Sequence, residues 1–339
     1  MLAFPRVLSL VTTRRCTAAC DHCCVGASPR ATDAIPVERL HRLIDEATRV
    51  PSFERIVFTG GECFLLGHEL DVLIAHAKAA RFQTRAITNG YWAVNVRSAA
   101  ARALALRAAG LDEIMFSTGT FHQRFVRVDR LLYAARATAS AGIATRISVE
   151  SCDQSRFDRS VLDDDLADLV AAGMVRIVSD PWIPDAGGRG GARLSHDAFL
   201  AENGAGGGRC AQIFTIVSVT PRQMLTACCG FPHEELPALQ LGSVAERALD
   251  AVIAEAPNAL LRMWLHVAGP AGVAEFVARY RPGYRLPAFA SVCEGCVALQ
   301  RDPEAMRIVA EHAGEAVGAV ATEFVRLQPP GHAALRAAP

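Results

Sequence analysis

Residues 16–24 read Cys-Thr-Ala-Ala-Cys-Asp-His-Cys-Cys. Cys16, Cys20 and Cys23 are spaced C-x3-C-x2-C, directly after an apolar run, Arg6 to Thr12, that reads as a strand. Closely spaced thiols on a short loop suit a metal cluster, and ordinary iron–sulfur clusters take four cysteines. Three are well placed here. Cys24 adjoins Cys23, and adjacent side chains diverge. The pattern predicts a four-iron [4Fe-4S] cluster held by Cys16, Cys20 and Cys23, with one iron open to a ligand. The competing reading is a zinc knuckle or buried free thiols, although zinc sites usually pair two C-x2-4-C or H-x3-5-H units.

Working outward from the loop, the chain alternates strands and helices. Helices are expected at 37–50, 69–80, 97–109, 128–141 and 162–172, and strands at 53–58, 83–88, 113–117, 145–150 and 175–179. Six apolar strands with helices between them predict a parallel sheet covered on both faces. The fold class is α/β, a partial (β/α)6 TIM-like barrel two strands short of the eight-fold form. In parallel barrels the active site lies at the C-terminal ends of the strands. The Cys loop, Gly60-Gly61-Glu62, Asn89-Gly90, Ser117 and Glu150 all fall there.

The remainder predicts a smaller C-terminal metal-binding domain. Ile213–Thr220 and Met224–Cys228 read as a hairpin, with helices at 244–254, 259–267 and 303–325. Cys210, Cys228, Cys229, Cys293 and Cys296 form a second set of thiols, of which Cys293 and Cys296 are C-x2-C. Cys210 and one of Cys228 or Cys229 complete four ligands. The alternative is structural zinc on the same thiols. The expected domains are 1–190, 191–300, and 301–339 as a helix and flexible tail. Pro184–Gly191 reads as the linker, with Gly188-Arg189 bordering the site as the alternative.

Of 339 residues, 51% are hydrophobic and 21% charged, with formal net charge zero. That balance fits a globular protein with a sizeable core and does not favour nucleic acid. No run approaches the length of a membrane span. Eleven cysteines, an odd number, without a secretory signal are best accounted for by reduced, metal-binding thiols in the cytoplasm.

The C-x3-C-x2-C loop with His22 before its last cysteine is similar to the signature of the radical S-adenosylmethionine enzymes. The resemblance implies that the open iron binds S-adenosyl-L-methionine. One electron then yields methionine and a 5′-deoxyadenosyl radical that abstracts a substrate hydrogen. It implies Gly60, Gly61 and Glu62 at the methionine amino group, and Ser117 and Glu150, on strands four and five, toward its carboxylate and ribose, with Asn89 as a further cofactor-binding residue at the rim. The plain readings are a tight turn for the glycines and caps for Asn89 and Ser117. Relatives often carry Asp two residues after this Ser, where Gly119 stands here, with Phe121-His122 retained.

The second thiol set resembles the auxiliary-cluster (SPASM/twitch-like) domains of peptide-modifying members, implying a smaller C-terminal iron–sulfur domain with a second [4Fe-4S] cluster on Cys210, Cys228, Cys293 and Cys296. Cys229 is then spare. It is the candidate to return a hydrogen atom to a substrate radical, or else a buried small hydrophobe. The substrate implied is a ribosomally made peptide, changed by epimerisation or cross-linking, with a flavodoxin or ferredoxin as electron donor. The cluster loop begins at residue 16, so no leader-peptide domain is expected ahead of it. The alternatives are radical chemistry on a small molecule, or a non-catalytic metal-binding or electron-transfer protein. Cys24, Cys63 and Cys152 receive no role.

Overall fold

The computed structural model describes residues 5–181, 195, 197, 200, 207–228, 236–256 and 260–327. The glycine-rich 184–191 stretch, Gly204 to Gly206, Cys229 and the 328–339 tail lie outside the described residues.

The first half follows β1 (Val7–Val11), α1 (Val37–Ala47), β2 (Arg55–Thr59), α2 (His68–Ala79), β3 (Gln83–Thr88), α3 (Val96–Ala109), β4 (Glu113–Thr118), α4 (Val128–Ser140), β5 (Ala144–Ser151), α5 (Ser160–Asp165), α6 (Ala167–Ala171) and β6 (Val175–Pro181). Strands β1 to β6 lie side by side in chain order, every pair parallel. This is the partial barrel the alternation predicts. Helix α1 buries Leu40, Leu43, Ile44 and Ala47, the one-face spacing of an amphipathic helix. Asn95 and Ser98 form a reciprocal capping box that starts α3, and left-handed Gly110 ends it.

The helix expected over 162–172 is instead two short pieces. Leu166 leaves helical geometry (φ −107°, ψ 12°) and is fully buried. Arg136 binds Asp165 and Asp168 across the break. The long final helix is likewise divided into α10 (Pro303–His312) and α11 (Val317–Arg326) by a 3-10 turn, Ala313–Ala316.

Strand alternation sends Ile114 and Phe116 into the core shared with the helices, so Glu113, Met115 and Ser117 face the opposite side, the barrel interior. That interior is polar where closed barrels are aliphatic. Arg85 pairs with Glu113 at 2.6 Å, Arg55 approaches Glu113 at 3.9 Å, and Arg146 lies 3.8 Å from Asp180.

The second half does not form a detached sheet. The predicted hairpin is β7 (Ile216–Val219) and β8 (Met224–Thr226), followed by β9 (Gln240–Ser243). Strand β7 pairs parallel with β1, and β8 and β9 continue antiparallel, giving one nine-stranded sheet, β6-β5-β4-β3-β2-β1-β7-β8-β9. Then come α7 (Leu249–Glu255), α8 (Leu260–Ala278) and α9 (Val292–Arg301). Helix α8 kinks at Gly269, whose φ is 67° and where a Cβ would stand 1.9 Å from the Gly208 carbonyl. Arg39 of α1, only 4% exposed, donates to the Val244 carbonyl at 2.7 and 3.0 Å and pairs with Glu46 at 2.7 Å. Glu46 also accepts from the Leu249 amide at 2.8 Å. This buried clamp ties the C-terminal region to the barrel's outer layer.

Candidate functional site

The loop after β1 folds its three spaced cysteines into one small buried cluster. Cys16, Cys20, Ala18, Ala27, Phe121 and Cys152 pack together, with Cys23 and Val25 against them. Backbone amides turn toward the sulfurs: Ala18 N–H donates to Cys16 Sγ at 3.4 Å and Ala27 N–H to Cys23 Sγ at 3.3 Å. Asn89 Nδ2 lies 3.7 Å from Cys16 Sγ. Burial pushes the Cys16 thiol up to about 11. A thiol so disfavoured as a free anion becomes a thiolate when a cation compensates it. Amide donors aimed at sulfur then suit the charge it carries. The three residues therefore fit a cluster.

The Gly60-Gly61 pair answers to the chain's own backbone. A Cβ at Gly61 would stand 2.4 Å from the Arg15 carbonyl, and one at Gly60, where φ is 145°, 2.5 Å from the Thr13 carbonyl. Gly61 N–H donates to Thr13 O at 2.6 Å and Glu62 N–H to Arg15 O at 3.0 Å. The two glycines thus allow the β2 rim to press against the entry to the Cys loop.

Glu62 is fully buried. Its carboxylate accepts from Phe64 N–H at 3.0 Å, Asn89 N–H at 2.9 Å and the Thr88 hydroxyl at 2.9 and 3.0 Å. Burial pushes its carboxyl up to about 7, against the opposing pull of those donors. Asn89, besides reaching Cys16, donates to Thr17 Oγ1 at 3.0 Å and accepts from Tyr91 N–H at 3.0 Å. It fastens the β3 rim to the Cys loop rather than capping a helix.

Ser117 sits on the interior row of β4, in register with Ser148. Glu150, 8% exposed, accepts from Phe121 N–H at 3.2 Å through Oε1, while its Oε2 is buried without a hydrogen bond. Oε2 lies 3.7 Å from His122 Nδ1. A Cβ on Gly119 would fall 1.5 Å from that oxygen. Glu150 therefore fills the volume that a side chain at 119 would need, which accounts for the glycine there. His22 stacks on Phe121 at 5.1 Å and meets His122 edge-on at 4.7 Å. Donor atoms of Cys20, His22 and His122 all lie within 4.8 Å of one another. Sequence reasoning missed Thr88, a plain strand residue without the contact it makes to Glu62. Cys63 is structural, its thiol directed at the Ile87 and Phe58 carbonyls at 3.3 and 3.5 Å.

The second thiol set comes together from three parts of the chain. Cys210, Cys228, Cys293 and Cys296 line one small pocket with Ile213, Leu236, Leu239, Val292 and Val297. Cys210 is held by its N–H to Leu265 O at 2.9 Å and by His266 Nδ1, which donates to its carbonyl at 3.0 Å. Cys293 and Cys296 stand on α9, where the C-x2-C spacing places both on one helical face. Burial pushes Cys296 up to about 12, reinforced by neighbouring Cys210. The four thiols stand in an apolar shell, a donor set that suits structural zinc or an iron–sulfur core.

Among the described residues, no helix is long and apolar enough to cross a membrane. Residues 10–149 match the Radical SAM superfamily. The chain is 25% identical over 166 residues to the putative peptide biosynthesis protein YydG of Bacillus subtilis strain 168, covering 48% of this chain and 52% of that protein, so it spans about half the length of that curated relative. Two solved structures share the fold. Native anSMEcpe with bound AdoMet and Kp18Cys peptide superposes with TM-score 0.56 at 12% identity, covering 95% of this chain and all of that one. Streptococcus suis SuiB bound to precursor peptide SuiA gives TM-score 0.55 at 15% identity, covering 75% of this chain and 66% of SuiB. The partial barrel, the three-cysteine loop and the match agree: residues 10–149 carry a Radical SAM superfamily domain, of a family whose members hold a [4Fe-4S] cluster and S-adenosylmethionine.

Proposed function

We propose that the chain is a radical S-adenosylmethionine enzyme that modifies a ribosomally made peptide, by epimerisation or cross-linking, with a second [4Fe-4S] cluster in the 191–300 segment. The observation that carries this reading is the convergence of Cys210, Cys228, Cys293 and Cys296 on one pocket beside a barrel that already bears the three-cysteine loop. The likeness to a putative peptide biosynthesis protein supports the peptide class. When bound, the first cluster and S-adenosylmethionine supply a 5′-deoxyadenosyl radical that abstracts a substrate hydrogen atom.

The chain's own residues prepare the site for that chemistry. Cys16, Cys20 and Cys23 hold the first cluster, and Asn89 locks their loop to β3. Glu62, Gly60 and Gly61 form the wall beside Cys16, where Glu62 offers a carboxylate to the cofactor's ammonium group. Glu150 and Ser117 bind the cofactor's remaining polar groups from β5 and β4. The polar barrel interior admits a hydrophilic substrate segment. Cys229, next to Cys228 in sequence, returns a hydrogen atom to the substrate radical. Electrons come from a flavodoxin or ferredoxin.

The test is anaerobic reconstitution of the full chain, counting iron and sulfide and assaying 5′-deoxyadenosine after S-adenosylmethionine and dithionite are added. About eight irons per chain with cofactor cleavage is the expected result. A chain lacking Cys16, Cys20 and Cys23 retains about four irons and no cleavage. Synthetic precursor peptides incubated in heavy water then report deuterium gain, and Cys229→Ala abolishes that gain if epimerisation is the reaction. Zinc in place of iron, or iron without cleavage, overturns the proposal.

A further inference from the structure

We propose that Gln300 is a positioning residue that raises the reduction potential of the second iron–sulfur cluster by hydrogen bonding to the sulfur of Cys296. The inference rests on the reading of Cys210, Cys228, Cys293 and Cys296 as ligands of that cluster.

Helix α9 carries Cys293, Cys296 and Gln300 at i, i+3 and i+7, so its periodicity stacks all three on one face. Gln300 Nε2 donates to Cys296 Sγ at 3.0 Å, one helical turn from the cysteine it serves. The other end of the amide, Oε1, is buried without a hydrogen-bond partner. A buried acceptor left in that state is unfavourable, and an apolar side chain of the same volume would avoid the loss. Packing alone therefore does not account for an amide here. Chemistry at the sulfur does. A thiolate only accepts hydrogen bonds, so the amide must present its NH2 to Cys296 and leave the carbonyl facing away. That is the orientation observed.

A donor on a cluster sulfur draws charge from the metal core. The reduced cluster carries one more electron, so it gains more from that donor than the oxidised cluster does. The potential therefore rises. The pocket's other walls, Leu239 and Val297 among them, are apolar, which keeps the local dielectric low and the effect of one N–H large.

The experiment is an electron-paramagnetic-resonance redox titration of the anaerobically reconstituted full chain, compared with Gln300→Leu and Gln300→Glu. The chain lacking Cys16, Cys20 and Cys23 assigns the second cluster's signal. Gln300→Leu removes the donor at similar volume. Gln300→Glu keeps the shape and replaces the donor by an acceptor. Iron content and melting temperature are expected to stay at the parent values in Gln300→Leu. The ratio of reduced to oxidised second cluster at a fixed potential falls about tenfold in Gln300→Leu, equivalent to ~59 mV for one electron, and further in Gln300→Glu. An unchanged midpoint in both variants overturns the inference, as does loss of the second cluster from both, which would make the amide a structural prop. Absence of a second cluster from the unmodified chain overturns instead the ligand reading on which the inference rests.

Discussion

Replacing Gly119 by Ala brings the largest clash in the barrel rim. The new methyl group would lie 1.5 Å from Glu150 Oε2 and 2.0 Å from its carboxyl carbon, at a backbone φ of 133°. Two costs arise. Holding an L side chain at that φ costs about 1–3 kcal/mol. Expelling the Glu150 carboxylate breaks its hydrogen bond from Phe121 N–H, and a bond to a charged group contributes about 1.5–3 kcal/mol. Together Gly119→Ala should destabilise the barrel by ~3–5 kcal/mol. The clash component disappears when Glu150 is already absent. In the Glu150→Ala background the same substitution should therefore cost ~2 kcal/mol less. Urea unfolding followed by tryptophan fluorescence measures both terms, since Trp92 stacks on Phe64 in the barrel core at 5.3 Å. Cofactor cleavage should fall with the first variant, because Phe121 also packs against Cys16 and Cys20. If Gly119→Ala costs under ~1 kcal/mol, or costs the same in both backgrounds, the steric argument fails.

Further expectations concern the loop, the glycine pair and the clamp. Asn89→Ala removes the ties to Thr17 and Cys16, so iron loading at the first site should drop several-fold while the second site's iron is unaffected, measurable by iron content in chains carrying only one thiol set. Gly61→Ala puts a methyl group 2.4 Å from the Arg15 carbonyl, forcing backbone rather than a flexible side chain to move, and should abolish iron loading at the first site, read by iron and sulfide content. Arg39→Ala leaves half-buried Glu46 with the Leu249 amide but without its cation, and the Val244 carbonyl without its side-chain donor, a loss of about 3 kcal/mol read by chemical denaturation. Arg39→Ala with Glu46→Ala should recover part of it, and no recovery would argue against the ion pair as the cause.

The alternating pattern was enough to predict β1 to β6 and the helices between them, because each strand's apolar run and each helix's buried stripe are local features. The three-cysteine loop was legible for the same reason: its ligands lie within eight residues of one another. Local pattern also announced the two halves of the β7–β8 hairpin, through their β-rich runs and intervening Pro-Arg-Gln turn. What the hairpin pairs with was not legible, since strand pairing is a contact between distant segments. Only the fold shows β7 extending the barrel sheet at β1.

Side-chain assignments divide along the same line. That Glu62 ends a buried strand beside the Cys loop follows from order along the chain. That Thr88 and the Asn89 amide share its carboxylate requires β3 to lie next to β2. The absence of an acid at 119 was plain in the sequence, but its reason was not: a carboxylate from β5 occupies the space, and only packing brings Glu150 there. Arg39 reads as an ordinary helix charge until its carbonyl partner, some two hundred residues away, is known. The sequence by itself determined the type of element, the order of the strands' rims and the chemistry of the thiols, since these follow from neighbouring residues. The tertiary structure alone decided which distant groups satisfy each buried charge and which four thiols face one pocket, because burial and hydrogen bonding are properties of a closed three-dimensional arrangement.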